Sequence, residues 1–258
     1  MARGGRGKPR PERKPKQPLP PPLPAGSRTI GQLVAETIRF YQHHFFQVLP
    51  LGLSVAALTQ LTFAFGRRHV EPRGHPPAQS LHDPEAILGG GLETTIVLGA
   101  LLLTASYIVA IVLVTGARPE TRNLVTAYTA GVLVFLPAPL LAAVLGLLAL
   151  PALAYLALIG WVVPVAVVEG TGFRESFRRA IRIARADYIH ALGGLATLVI
   201  VFYLVRLMLA LLIRGGGEVT ERSAAGLADL VLSPILFVGS ALLYLDQAAR
   251  LEAKQAKQ

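Results

Sequence analysis

The sequence predicts an all-α, polytopic membrane protein: a bundle of six transmembrane helices with two cytoplasmic interfacial amphipathic helices. Three observations carry this prediction. Of the 258 residues, 53% are hydrophobic and 16% charged, whereas soluble domains carry about 25% charged residues. The apolar residues gather into uncharged runs long enough to cross a hydrocarbon core, which takes roughly 20 residues. The basic residues between those runs concentrate in alternate connections, as a fixed orientation in a bilayer requires.

The elements follow in chain order. Residues 1–28 hold eight basic residues against one acid, Glu12, and so supply seven of the formal +10 charges. Rich in Pro and Gly, with almost nothing to bury, they cannot offset their ordering entropy. They read as a disordered basic tail with polyproline II character around Pro18–Pro24. Such a tail is attracted to anionic headgroups at about 1 kcal/mol per basic residue near the surface, or it serves simply as a solubilising, orientation-setting arm. No apolar core with a small-residue cleavage site follows, so a secretory signal peptide is not expected.

Thr29 and Gln32 have capping-box spacing, and Ile30, Leu33, Val34, Ile38 and Tyr41 recur at helical intervals. An amphipathic helix lying on the membrane face is therefore expected over about 29–42. Runs without Lys, Arg, Asp or Glu, broken in the fifth by Arg206, place the spans at about 43–66, 94–116, 124–148, 151–168, 188–213 and 227–246. The stretch from Asn123 to Val168 has no formal charge over 46 residues. That is too long for one crossing, and Pro151 is the natural turn. The loop Arg67–Glu93 is an irregular excursion with one helical turn near Pro84–Leu88, and residues 247–258 form a short basic tail.

With the N-terminus inside, the inward segments 1–39, 118–123, 169–187 and 246–258 contain nineteen Lys and Arg, and the outward loops contain five. The positive-inside rule then predicts a multi-pass protein of the cell membrane with both termini cytoplasmic. An odd number of spans would put an inside cluster on the wrong side.

The segment Trp161–Leu195 is the most informative. In it Phe173, Phe177, Ala180, Ile181 and Ala184 fall within roughly 100° of arc on a helical wheel. Arg174, Arg178, Arg182 and Arg185 line the adjoining arc. Either the apolar face sinks between lipid tails while the guanidinium groups meet phosphates, or it packs on the bundle as a linker helix. Glu169, Gly170 and Gly172 form the turn out of the fourth span. Asp187 is placed to cap the fifth helix, which opens with Tyr188 at interface depth.

The Pro-x4-Glu-Gly-x-Gly exit at Pro164–Gly172, the helix SFRRAIRIAR at Ser176–Arg185, the aromatic entry at Tyr188 and the opening ETIRFYQHHFFQVLPLGL at Glu36–Leu53 resemble one family. It is the glycerophosphoryl diester phosphodiesterase membrane-domain family, with related six-helix bacterial membrane proteins. The matches span most of residues 29–246. Many members carry a tryptophan near the aromatic entry, where this chain has Tyr188. Where family members carry catalysis, a fused soluble barrel supplies it, and that barrel is absent here. The resemblance thus implies a membrane module rather than an enzyme. A weak internal echo accompanies it: a shift of 143 residues places Ile38, Arg39, Phe45 and Leu49 on Ile181, Arg182, Tyr188 and Leu192. An ancient duplication and convergence on one interfacial solution both account for it.

Arg206 is the basic residue well inside a predicted span. Eighteen residues past Tyr188, at ~1.5 Å each, it lies roughly 27 Å along its helix. Asp229 is at a compatible depth, so the two are expected to pair. The alternatives are that Arg206 snorkels to headgroups or serves a substrate or lipid site. His69, His75 and His82 with Asp83 and Glu85 match no metal-ligand spacing, and His43 and His44 suit the interface. Gly89, Gly90 and Gly91 lack the lysine or helix start of a phosphate loop. With no cysteine, paired carboxylates or nucleophile elbow, no catalytic residue, cofactor or metal is expected. The expected partners are the bilayer, through anionic headgroups, and a membrane protein, not nucleic acid. Two functions remain open: a non-enzymatic accessory or scaffold module, and a transporter or permease for a small or lipidic substrate lined by Arg206, Pro137, Pro139, Pro151 and Pro164.

Overall fold

The computed structural model describes residues 28–69, 91–138, 150–213 and 217–256. The basic tail up to Ser27, the turn expected near Pro84–Leu88, His75, His82 and the last part of the third expected span lie outside the described residues. The elements are α1 (Ile30–His43), α2 (Phe45–Val48), a 3-10 turn (Leu49–Leu51), α3 (Gly52–His69), α4 (Gly91–Thr115), α5 (Thr121–Phe135), α6 (Leu150–Ile159), α7 (Val162–Val168), α8 (Phe173–Ala186), α9 (Tyr188–Ile213) and α10 (Glu218–Gln255). No strand occurs among the described residues.

Four stretches are long and apolar enough to cross a membrane: Thr94–Thr115, Leu150–Val168, Tyr188–Ile213 and Val219–Gln255. A fifth is the pair Ile30–His43 and Phe45–Leu61, if two helices bent by 95° count as one crossing. Pro151 stands in the first turn of α6, where its missing N–H removes no helical bond. The stretch Leu150–Val168 is interrupted at Gly160–Trp161, between α6 and α7. There the indole Nε1 of Trp161 donates to Ala157 O at 2.7 Å, satisfying the one polar atom of a buried ring.

α1 carries its capping box in full: Thr29 N donates to Gln32 Oε1 at 2.8 Å, and Gln32 N to Thr29 Oγ1 at 3.3 Å. Leu33, Thr37 and Tyr41 lie buried at four-residue spacing. Part of the face that the sequence assigns to lipid is covered by protein, while Ile38 stays exposed. Ile30 and Leu33 lie against Gly193 and Gly194, and the Tyr41 hydroxyl donates to Val231 O at 2.6 Å. Periodicity marks an apolar face but does not distinguish a lipid cover from a helix cover.

α10 has 38 residues, about 57 Å of helix, and runs well past the 227–246 expected of it. Residues 247–255, expected as tail, continue the helix with Gln247 and Leu251 buried. Its Pro234 has no N–H to offer the carbonyl of Leu230. α3 begins against that gap: a Cβ on Gly52 would lie 1.9 Å from Leu230 O. α1, the bend after it and α3 therefore all meet α10 around its proline. On the other side of the bundle, small residues let helices close up. Ala127, Ala130 and Gly131 of α5 are buried, and a Cβ on Gly131 would meet Thr104 of α4 at 2.4 Å and Val163 of α7 at 3.0 Å.

Candidate functional site

Arg206 on α9 and Asp229 on α10 meet as a two-pronged ion pair, with Nε–Oδ1 at 2.7 Å and Nη2–Oδ2 at 3.2 Å. Thr59 of α3 donates its hydroxyl to Oδ2 at 2.5 Å. Asp229 is 1% exposed, while the Arg206 side chain keeps 33%. A carboxylate so enclosed is tolerable because both oxygens accept charge-assisted or hydroxyl hydrogen bonds. Beside the pair, between α9 and the start of α10, lies a cavity of about 430 Å3 lined by Tyr203, Arg206, Ala210, Glu221, Arg222 and Ala225.

The second polar region is the turn after α7. Gly170 has φ +65°, and a Cβ there would sit 3.0 Å from Asn123 Nδ2. Glu169, expected as a turn residue, does more than turn the chain. It accepts from Arg179 Nε at 3.0 and 3.2 Å and from the Tyr244 hydroxyl at 3.3 Å, tying α7, α8 and α10 together. Gly170→Ala is expected to cost about 1–2 kcal/mol through its left-handed backbone, read as a lower melting temperature in detergent. Gly172→Ala, at φ −67° with nothing within 4 Å of its Cβ, should melt like wild type. Equal behaviour of the two variants would contradict the backbone argument.

On α8, Arg174, Arg178, Arg182 and Arg185 are all exposed. Glu175 approaches two of them, at 2.8 Å from Arg182 and 3.9 Å from Arg178. The opposite face, Ser176, Ala180, Ile183, Ala184 and Ala186, is buried against α6, α7 and α10. Of the apolar arc read from the sequence, Ala180 and Ala184 are buried, Phe177 and Ile181 half-buried and Phe173 exposed. Most of the helix's burial is thus on the bundle. Arg179 was not singled out in the sequence, although its wheel position is a signal: it stands off the exposed arginine arc, toward the buried side.

A third cluster went unnoticed in the sequence. Arg250 donates to Asp246 Oδ2 at 2.8 Å, Asp187 Oδ2 at 3.0 Å and Arg28 O at 2.7 Å. His190 Nε2 lies 3.0 Å from Asp246 Oδ2, and Asp246 is fully buried. Asp187 also caps α9, accepting from His190 N at 3.2 Å, and Lys254 donates to Ala186 O. The start of α1, the α8–α9 junction and the end of α10 are pinned together here. The i, i+4 pair Asp246–Arg250 was the available signal. Among the described residues, no group of three or more His, Asp or Glu is arranged to hold a metal ion.

Compared with known proteins, the chain matches no family model, no curated protein and no solved structure.

Proposed function

We propose that this chain is a non-enzymatic integral membrane protein of the cell membrane with six crossings and both termini in the cytoplasm. In this reading it is an accessory or scaffold module that engages anionic headgroups, or a membrane protein partner, through the cytoplasmic face of α8. The observation that carries it is the two-sidedness of α8. Four arginines stand exposed within about 80° of arc, while the opposite face is buried on the bundle. A helix anchored from behind holds its guanidinium groups at fixed spacing, which suits a row of phosphates. The resemblance to the glycerophosphoryl diester phosphodiesterase membrane domain belongs to the same proposal, as a module without the catalytic barrel.

The quadruple variant Arg174→Gln, Arg178→Gln, Arg182→Gln, Arg185→Gln tests it. Each basic residue near the surface is worth about 1 kcal/mol. Enrichment of phosphatidylglycerol around the purified protein, measured by mass spectrometry of retained lipid, should therefore fall several-fold. Unchanged enrichment would sink the lipid reading. The second reading, a transporter or permease, is favoured by one specific observation: the cavity of about 430 Å3 that opens beside the Arg206–Asp229 pair.

A further inference from the structure

α10 carries a polar seam on its buried side. Taking ~100° per residue, Asp229, Ser233, Ser240, Tyr244 and Gln247 fall within about 60° of arc. Asp229, Ser233, Tyr244 and Gln247 are each at most 2% exposed. From Asp229 to Gln247 the seam runs eighteen residues, roughly 27 Å, close to the ~30 Å of a hydrocarbon core. Hydroxyl, amide and carboxylate groups on a crossing helix each need a hydrogen-bond partner, because lipid supplies none.

Three atoms of this seam have no hydrogen-bond partner in the protein among the described residues: Ser233 Oγ, Gln247 Oε1 and Gln247 Nε2. Buried polar atoms left unpaired are costly, most of all where lipid rather than water surrounds the bundle. Water inside the bundle can supply those partners. Midway, Ser240 borders a cavity of about 190 Å3 shared with Tyr107, Trp161, Leu195, Val199 and Leu236. Each end of the seam closes on an arginine held by a carboxylate. One end is Arg206 on Asp229, with Thr59 alongside. The other is Arg179 on Glu169, with the Tyr244 hydroxyl alongside.

We propose that this seam holds a file of water that carries protons between the Arg206–Asp229 pair and the Glu169–Tyr244 cluster. The proposal rests on the reading of the chain as membrane-spanning but not on the role given to α8. Water fits the cavity of about 190 Å3 at Ser240, since a molecule takes up about 30 Å3 of liquid, and it can both donate to and accept from hydroxyl and amide groups. Paired charges at both ends give a bare ion no net attraction, and the apolar walls contributed by Leu195, Val199 and Leu236 disfavour a hydrated one. A proton crosses by exchange: one enters the file at one face, hydrogen bonds shift along it, and one leaves at the other. No bond of the protein is made or broken in the balance.

The chain has no cysteine, so single thiols report directly. Resistance of the protein to alkaline extraction from membranes is scored first, which separates failure of the membrane reading from failure of the seam. In reconstituted vesicles, a small hydrophilic thiol reagent should modify Ser233→Cys and Gln247→Cys at least ten-fold faster than Val238→Cys. Val238 is equally buried but faces away from the seam. Under a potassium–valinomycin potential, wild-type vesicles should acidify a trapped pH dye several-fold faster than protein-free vesicles. Ser233→Val and Gln247→Leu should lose most of that excess, and the quadruple arginine variant of α8 should keep it. Equal modification at the three positions overturns the proposal, and so does modification without proton flux. If the cysteine variants fail to elute as folded protein, the flux comparison of wild-type and empty vesicles decides alone.

Discussion

Arg206→Leu is expected to destabilise the bundle by about 3–5 kcal/mol, the usual cost of removing one partner from a buried ion pair. The variant strands the Asp229 carboxylate, 1% exposed, with Thr59 as its remaining hydrogen-bond donor among the described residues. Asp229→Leu should cost less, because the Arg206 side chain is one-third exposed and its long stem can turn the guanidinium toward a polar surface. The double variant Arg206→Leu with Asp229→Leu should recover most of the loss, since apolar replacements of a buried pair are often neutral. Trp161 is the single tryptophan and is 2% exposed, so its fluorescence follows melting of the bundle in detergent. At about 2–4 °C per kcal/mol for a chain of this size, Arg206→Leu should melt on the order of 10 °C below wild type. A single variant that melts with wild type would show that the pair contributes nothing to the fold.

Gly52→Ala is the second large effect. The new Cβ would stand 1.9 Å from Leu230 O, 2.6 Å from Leu230 C and 2.8 Å from Leu230 Cα. These are backbone atoms, so no side-chain rotation relieves the overlap, and α3 must move away from α10. Such a shift also disturbs the neighbouring Tyr41–Val231 bond. The expected loss lies at or beyond the ~3 kcal/mol upper end of ordinary overpacking, seen as a sharp fall in folded protein recovered from membranes. Gly31→Ala is the comparison, with nothing within 4 Å of its Cβ. It should be neutral or gain up to about 1 kcal/mol from helix propensity. If Gly52→Ala accumulates and melts like Gly31→Ala, the close approach of α3 to Pro234 is not real.

What could be read from the sequence follows the kind of signal involved. Long uncharged runs are a one-dimensional property, so the stretches Thr94–Thr115 and Tyr188–Ile213 are found almost to the residue. The Thr29–Gln32 cap is likewise local. Depth counting along two helices was enough to bring Arg206 and Asp229 to the same level, because a helix converts residue number to distance at a fixed rate. What covers a face is not local. α1 has the periodicity of an interfacial helix, yet α9 and α10 stand on its buried side, and nothing in the spacing of Leu33 and Tyr41 says so. For α8 the pattern left lipid and bundle equally open, and α6, α7 and α10 take most of the face. The bend of 95° after α1 was equally hidden, since His44 and Pro50 are unremarkable in a run of apolar residues. Arg179, Asp246 and Arg250 were overlooked for a different reason. Each sits next to residues of a stronger pattern, and each finds its partners across elements far apart in the chain, such as Arg250 with Arg28 and Asp187.

α10 is the element against which α1, α3, α4, α8 and α9 all pack, and it is synthesised after every one of them. The order of manufacture and the order of assembly therefore run against each other. Until α10 emerges, Arg206 has no counter-ion, Tyr41 has no carbonyl to bond and the buried face of α8 has lost part of its cover. The earlier helices must be held by the insertion machinery or by one another in a provisional arrangement, and α10 then locks them at once. A bundle built this way has little use for a stable half-folded form.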